Sequence, residues 1–113
     1  MIQITLPWPP TVNTYYRSFN GRTLISAKGR EYAKAVADQV LIQRAGKLLE
    51  GRIEVRIEAW PPDKRKRDLD NLFKSLLDSL TKAGVWLDDS QIDRLSIARG
   101  PIGGMVKVEV SAL

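Results

Sequence analysis

A stripe of large apolar side chains over residues 69–80 constrains the fold of this chain more than any other feature. Its members recur at i, i+3, i+4, i+7, i+8 and i+11: Leu69, Leu72, Phe73, Leu76, Leu77 and Leu80. That spacing gives an α-helix one continuous apolar face. The helix is expected to end at Ala83-Gly84, because glycine commonly follows the last helical turn. A face this wide has to pack against a second layer of structure.

Strand periodicity elsewhere in the chain predicts that second layer. Over residues 53–60, apolar residues alternate with charged ones, which is typical of a half-buried β-strand, and Pro61-Pro62 is expected to end it. The apolar members are Ile53, Val55, Ile57 and Ala59. Further strands are predicted over residues 2–6, near residues 92–99 and over residues 106–110.

A hairpin and a long helix are predicted between the strand at residues 2–6 and the strand at residues 53–60. Asn20-Gly21, within residues 15–25, is the strongest short hairpin signal. Ser26 is a good N-cap for a helix over about residues 28–49, which Gly51 would stop. The predicted element order is β-ββ-α-β-α-β-β. We therefore expect an α/β (α+β) fold: a single two-layer domain over residues 1–113, with a mixed β-sheet packed against two main helices.

The composition removes most of the usual catalytic groups. The 113 residues include no histidine and no cysteine, which excludes disulfides, thiolate chemistry and the commonest transition-metal ligands. Lysine and arginine number 18 against 13 acids, and the net charge of +5 favours a polyanionic partner. The chain shows neither a signal-peptide pattern nor the ~20 apolar residues of a membrane helix. We expect a cytoplasmic protein with no membrane partner.

Residues 64–71 place four cations directly before two carboxylates. Asp68 and Asp70 are close enough to repel each other, and a bound divalent cation is a common reason for such a pair. The alternative is structural, because Asp68 would suit a helix N-cap and Asp70 the positive end of the helix dipole. The cations, which exceed what two acids need for balance, are Lys64, Arg65, Lys66 and Arg67.

Charged residues repeat every fourth position along the predicted helix. The series is Asp70, Lys74, Asp78 and Lys82. A surface ladder of ion pairs explains Asp78 and Lys82, at a few tenths of a kcal/mol per pair. For Lys74 a second interpretation stays open, because a lysine one turn beyond Asp70 could stabilise charge on a phosphoryl oxygen.

A second acidic pair, Asp88-Asp89, follows Trp86 shortly after the helix. Aspartates commonly form turns, so a structural role is the alternative here. If the turn folds beside the start of the helix, three carboxylates converge. One or two Mg²⁺ ions held by three carboxylates can hydrolyse phosphodiesters without histidine. The spacing alone leaves this choice open.

The predicted hairpin is rich in basic and aromatic residues. Tyr15-Tyr16-Arg17 and Arg22 lie on it. An extended hairpin of this kind can follow a nucleic-acid backbone. The alternative is a solvated hairpin with one tyrosine packed inward.

Three blocks of the sequence together resemble the RusA family of Holliday junction resolvases. The first is Ile4-Thr5-Leu6-Pro7-Trp8-Pro9-Pro10, followed by Asn13 and Tyr15-Tyr16-Arg17. The second reads Arg-Lys-Arg-Asp-Leu-Asp-Asn over residues 65–71. The third reads Lys-Ala-Gly-Val-Trp-Leu-Asp-Asp over residues 82–89. The similarity spans nearly the whole chain in register and is weakest in the first long helix and the final strands.

The resemblance implies a Mg²⁺-dependent endonuclease that resolves four-way DNA junctions by paired symmetrical nicks, acting as a homodimer and using no small-molecule cofactor. The implied catalytic set is Asp68, Asp70, Lys74 and Asp89. The three aspartates of this set would hold the metal, whereas the role of Asp88 stays open. The basic run over residues 64–67, with Arg17 and Arg22, would bind the DNA.

Two other functions are weighed against this one. The first is a nucleic-acid-binding accessory protein that keeps the fold but does not cut. Intact Asp68, Asp70 and Asp89 argue against it, because such a protein has no reason to keep three mutually repelling acids. The second is a metal-dependent nuclease acting on flaps or single strands.

Overall fold

Nine main elements follow one another in the computed structural model, which describes all residues 1–113. They are β1 (Ile2–Pro7), α1 (Val12–Tyr15), β2 (Tyr16–Phe19), β3 (Arg22–Ile25), α2 (Ala27–Ile42), β4 (Ile53–Trp60), α3 (Phe73–Lys82), β5 (Ile92–Arg99) and β6 (Met105–Ala112). Four strands form one sheet in the order β1-β6-β4-β5. Strands β4 and β5 are parallel and the other neighbours antiparallel, so the predicted mixed sheet is confirmed.

One face of this sheet carries the hydrophobic core. In β4, the four alternating residues predicted to point inward are all at most 3% exposed. Register pairs Val55 with Val110 and Ile57 with Val108, which puts apolar side chains on the same face of neighbouring strands. Helices α2 and α3 supply the second layer, through residues such as Val36 and Leu76. The predicted two-layer arrangement with two main helices is therefore confirmed.

Helix α3 is the crossover that joins the parallel strands β4 and β5. The apolar stripe begins in a 3₁₀ turn, Leu69–Leu72, and the α-helix starts only at Phe73. The sequence pattern predicted one uninterrupted helix, but a tighter first turn is common at helix ends. Four of the six residues of the stripe are nevertheless buried, and Leu69 and Phe73 are partly buried against the core. Gly84 ends the helix with a φ of +85°.

Helix α2 begins as predicted but ends early. The backbone N–H of Gly29 donates to Ser26 Oγ at 2.9 Å, which confirms the N-cap. The prediction that the helix continues to residue 49 is wrong, because it ends at Ile42. The side chain of Gln43 pairs with both backbone groups of Thr5, at 3.0 and 2.8 Å. This pairing caps the free edge of β1.

Residues 43–49 then form a non-helical segment. Arg44 and Leu48 adopt positive φ angles of 56° and 49°. The backbone N–H of Leu48 donates to the carbonyl of Gly84, and that of Leu49 to the carbonyl of Val85. Bonds to the loop after α3 therefore replace the helical bonds that local pattern favoured.

The hairpin of β2 and β3 is confirmed as a separate two-stranded sheet. Asn20 and Gly21 both have positive φ, 49° and 73°, as a tight hairpin turn requires. The sequence pattern did not predict the single-turn helix α1 that precedes it. Two buried serines of α3 bind this region, because Ser75 Oγ donates to the Pro10 carbonyl at 2.7 Å and Ser79 Oγ to the Tyr15 hydroxyl at 3.1 Å. The hairpin is thereby held beside α3.

None of the helices has the length and apolar content needed to cross a membrane.

Candidate active site

Two of the predicted metal ligands lie at the start of α3 with their side chains exposed. Asp68 occupies the N-cap position of the 3₁₀ turn, but its side chain accepts no capping hydrogen bond. Asp70 lies in the first turn, and both aspartates are solvent-exposed. The capping role weighed as the structural alternative is therefore absent for Asp68. Both carboxylates are accessible to a ligand.

The four residues of the basic run before them differ in exposure and in role. Arg67 Nη1 pairs with Asp63 Oδ1 at 2.6 Å, and its guanidinium lies 5.9 Å from the centre of the Trp8 ring. The Arg67 hydrogen bond, together with the backbone N–H of Arg65, lowers the pKa of Asp63 to about 2. The side chain of Arg67 is only 21% exposed. It orders the loop, whereas the other three cations, Lys64, Arg65 and Lys66, are exposed.

An open groove connects α3 to the hairpin. It has a volume of about 610 Å³. Lys74, the second residue of α3, lines it together with Asn13 and with Arg17 and Ser18 of β2. Two residues predicted from different parts of the sequence to act on DNA, Lys74 and Arg17, therefore share one concave surface. Arg22 is exposed on β3 but does not line this groove.

Asp78 holds Lys74 from the next turn of the helix. Lys74 Nζ lies 3.4 Å from Asp78 Oδ2, so this pair of the predicted ladder is present. The same carboxylate oxygen accepts a hydrogen bond from the hydroxyl of Tyr16. Burial and the neighbouring Asp78 raise the pKa of Tyr16, which keeps its hydroxyl protonated as a donor. Asp78 is thus a half-buried link between helix and hairpin, whereas the sequence pattern indicated only a surface ion pair.

The fourth predicted residue, Asp89, is held at the opposite end of α3. Its Oδ1 accepts a hydrogen bond from the indole N–H of the buried Trp86 at 3.2 Å and contacts the hydroxyl of Thr81. The indole N–H also lies 2.6 Å from Thr81 Oγ1. Sequence reasoning missed Thr81, since a threonine eight residues before an aspartate carries no recognisable signal. This carboxylate is fixed before any ligand arrives.

Asp88 has the structural role that Asp89 lacks. Its carboxylate accepts from the backbone N–H of Ser90 at 2.9 Å, and the side chain of Gln91 accepts from the backbone N–H of Asp88 at 2.8 Å. These reciprocal bonds form a capping box on the 3₁₀ turn Asp89–Gln91. Hydrogen bonds from Ser90 lower the pKa of Asp88. The role of Asp88 that the sequence left open is that of a turn cap.

The chain does not bring the three predicted metal ligands together. Asp68 and Asp70 precede α3 and Asp89 follows it, so the ten-residue helix, roughly 15 Å long, separates them. No group of three acidic side chains is close enough to hold one ion. The donors are all carboxylate oxygens, which is the ligand type that Mg²⁺ prefers. The donor chemistry therefore fits the ion, but one chain supplies only separate parts of a coordination shell.

Comparisons with known proteins agree with the resemblance seen in the sequence. A family model described as Endodeoxyribonuclease RusA matches residues 7–111. The chain is 43% identical over 112 residues to the crossover junction endodeoxyribonuclease RusA of Escherichia coli strain K12, covering 97% of this chain and 93% of the relative. With the same coverage, it is 44% identical to the protein of that name from Enterobacteria phage 82 and 43% identical to that from Shigella sonnei strain Ss046. The predicted resemblance is confirmed: this chain belongs to the endodeoxyribonuclease RusA family.

Proposed function

We propose that this protein is a crossover junction endodeoxyribonuclease that resolves four-way DNA junctions. The observation that carries the proposal is identity above 40% to proteins of that name over 97% of the chain. The accessible carboxylates of Asp68 and Asp70, the groove lined by Lys74 and the exposed cations of the basic run support the same activity. Such an enzyme would work where the DNA is, in the cytoplasm.

In this proposal Asp68, Asp70 and Asp89 hold Mg²⁺, which when bound would polarise the scissile phosphate and activate water. Lys74 lies on the groove and would stabilise negative charge that develops on the phosphoryl oxygens. Its ion pair with Asp78 keeps the ammonium group at the groove wall. Trp86 and Thr81 orient Asp89 in the way that outer groups commonly orient metal ligands.

The separation of the carboxylates supports a homodimer. Because α3 separates Asp68 and Asp70 from Asp89, a metal site that uses all three aspartates needs a second copy of the chain. A two-fold partner can place its own turn after α3 beside the start of α3 in the first subunit. Two such sites, related by a two-fold axis, suit a four-way junction in which two opposed strands are cut.

The DNA would lie across the groove and the basic run. Lys64, Arg65 and Lys66 are exposed beside Asp68, and Arg17 borders the groove near Lys74. Arg67 would contribute mainly by fixing the loop that presents its neighbours. Phosphate contacts of this kind release counterions, so affinity should fall steeply as salt rises.

One set of incubations tests the proposal. A synthetic four-way junction, a matched duplex and a single strand are each incubated with the protein, with and without Mg²⁺. We expect paired symmetrical nicks in the junction alone, and only with Mg²⁺. Cleavage of single strands or flaps in preference to the junction would indicate a different nuclease. Binding of the junction without cleavage under any divalent metal would refute the proposed nuclease activity.

A further inference from the structure

The outer face of the β2–β3 hairpin combines two cations with two apolar residues. Register places Arg17 opposite Leu24 and Phe19 opposite Arg22. Directly opposed residues share a face, as do residues two apart in one strand, so these four side chains lie together. All four are exposed. No other part of the chain covers this face.

Phe19 is the unusual member of the group. Its side chain is 56% exposed at the end of β2, directly before the Asn20-Gly21 turn. The guanidinium of Arg17 lies 5.8 Å from the centre of its ring. A cation–π contact of this kind covers one face of an aromatic ring and leaves the other free. The ring is therefore presented to solvent as a flat platform with a positive charge behind it.

The opposite face of the same hairpin borders the groove of Lys74. Ser18 and Thr23, which are paired across the strands, line that groove. The hairpin therefore carries the proposed phosphate groove next to the Phe19 platform, and Arg17 belongs to both, because it lines the groove and its guanidinium lies over the Phe19 ring. It contains no acidic residue between Tyr16 and Ile25. Both faces can meet polyanionic DNA without repulsion.

We propose that Phe19 is a base-stacking site for a nucleobase unstacked at the branch point of the junction. This inference rests on the proposed function. Bases at a branch point lack one stacking neighbour, and an aromatic side chain can replace it, because every base has a π-face. Arg17 and Arg22 would hold the flanking phosphates while the ring covers the base.

A second copy of the chain fits this face less well. A two-fold contact of the face with itself would bring two Arg17 and two Arg22 side chains together with no acid between them. Like charges in such a contact repel. DNA offers the complementary charge together with flat apolar surfaces, so it is the occupant that the composition of the face favours.

A double-mutant cycle between the ring and the base tests the proposal. Affinity for a four-way junction with a fixed branch point is measured without Mg²⁺, so that nothing is cut, and again for a junction whose branch-point nucleotides are abasic. We expect Phe19→Ala to weaken binding to the intact junction by about tenfold. On the abasic junction it should bind as wild type does, because the stacking partner is gone.

Three controls separate stacking from other causes. Phe19→Trp should retain the wild-type affinity, and Phe19→Leu should lose as much as the alanine variant although it stays apolar. Leu41→Ala removes another exposed apolar side chain, 79% exposed on α2, and should change nothing. Sedimentation of each variant reports its oligomeric state. All these residues are exposed, so the fold is not at risk.

Each result bears on one proposal only. An unchanged Phe19→Ala affinity, an equal loss on both junctions, or full retention by Phe19→Leu would overturn the stacking site. A changed oligomeric state would assign the face to a protein contact instead and would overturn it as well. Failure of the wild-type protein to prefer the junction over duplex would refute the proposed function itself, which the same titrations measure.

Discussion

The two ends of α3 present their carboxylates in opposite states. At the start, Asp68 and Asp70 are exposed, and Asp68 accepts no capping bond. At the other end, Asp89 is half-buried and held by Trp86 and Thr81. Two exposed carboxylates separated by one residue repel each other. A bound cation would therefore stabilise the start of the helix. The end of the helix is organised before any cation binds.

This contrast assigns different tasks to the two ends. A ligand whose partners are already ordered loses little conformational freedom on binding, which favours affinity. An open pair of carboxylates beside a basic loop can instead adjust to the phosphate that arrives with the DNA. The proposed site would join one fixed half and one adaptable half across a subunit boundary.

The largest effect is expected from Asp70→Asn at the open end. Cleavage should fall on the order of 10³-fold, since charge stabilisation through a bound metal is worth several kcal/mol. Junction binding should stay intact or become stronger, because a negative charge facing phosphate is removed. Asp38→Asn, which removes an exposed acid from α2, is the matched control and should cut normally. Normal cleavage by Asp70→Asn would show that the site is misassigned.

A mixture of inactive variants tests whether the two ends meet in a dimer. Subunits carrying Asp70→Asn and Asp89→Asn are each inactive alone. In mixed dimers one of the two shared sites keeps both aspartates, so an equal mixture should recover about a quarter of the wild-type sites. A mixture of Asp68→Asn and Asp70→Asn should recover none, because both changes lie at the same end. Absence of recovery in the first mixture would place each site within one subunit.

At the fixed end, Thr81→Val should loosen Asp89 without removing any metal ligand. We expect cleavage to fall by about 10- to 100-fold at limiting Mg²⁺, since loss of an outer-shell partner typically costs that much in metal affinity. High Mg²⁺ should restore most of the rate. Thr81→Ser keeps the hydroxyl and should behave as wild type. A loss that Mg²⁺ cannot restore would argue against a positioning role.

A smaller effect is expected from Asp78→Asn, which removes the charge that pairs with Lys74. Cleavage should fall by roughly tenfold, the scale of one charge-assisted contact. If Asp78 acts through Lys74, the same change in a Lys74→Ala background should have little further effect. Tyr16→Phe serves as a milder comparison, because the ion pair survives. Fully additive losses would show that Asp78 acts independently of the lysine.

The smallest effect on cleavage is expected from Asp88→Ala, which removes the turn cap. The melting temperature should drop by a few degrees, whereas the rate at saturating Mg²⁺ should change little. The pKa of Asp88 is lowered in the folded state. Its stabilising contribution is thus present above the unfolded-state pKa, about 3.9, and is lost as pH falls through the folded-state value. The melting temperatures of the wild type and the variant, measured at decreasing pH, should therefore converge at low pH.

Regular repeats in the chain were sufficient to predict most of the architecture. The period of the leucine stripe, the alternation in β4 and the Asn20-Gly21 turn each report a local preference that the structure confirms. They succeed because each repeat matches the geometry of one element. The two layers follow, since the apolar faces of the helices and of the sheet must be covered.

Where a local pattern competed with distant partners, the prediction failed or was incomplete. Helix α2 stops at Ile42 because Gln43 and the residues after it bond to β1 and to the loop beyond α3. Asp78 is more than a surface ion pair, because Tyr16 reaches it from the hairpin. Neither partner lies near enough in the chain for periodicity to reveal it.

Residue types and their order along the chain therefore identify the chemistry available: carboxylates, lysine and arginine, with no histidine or cysteine, in the pattern of one nuclease family. Their distances were decided by the packing of α3 as a crossover between β4 and β5. That packing sends Asp68 and Asp70 to one end of the helix and Asp89 to the other. Three carboxylates within 22 residues look like one cluster in the sequence, but a rigid helix between them keeps the groups apart.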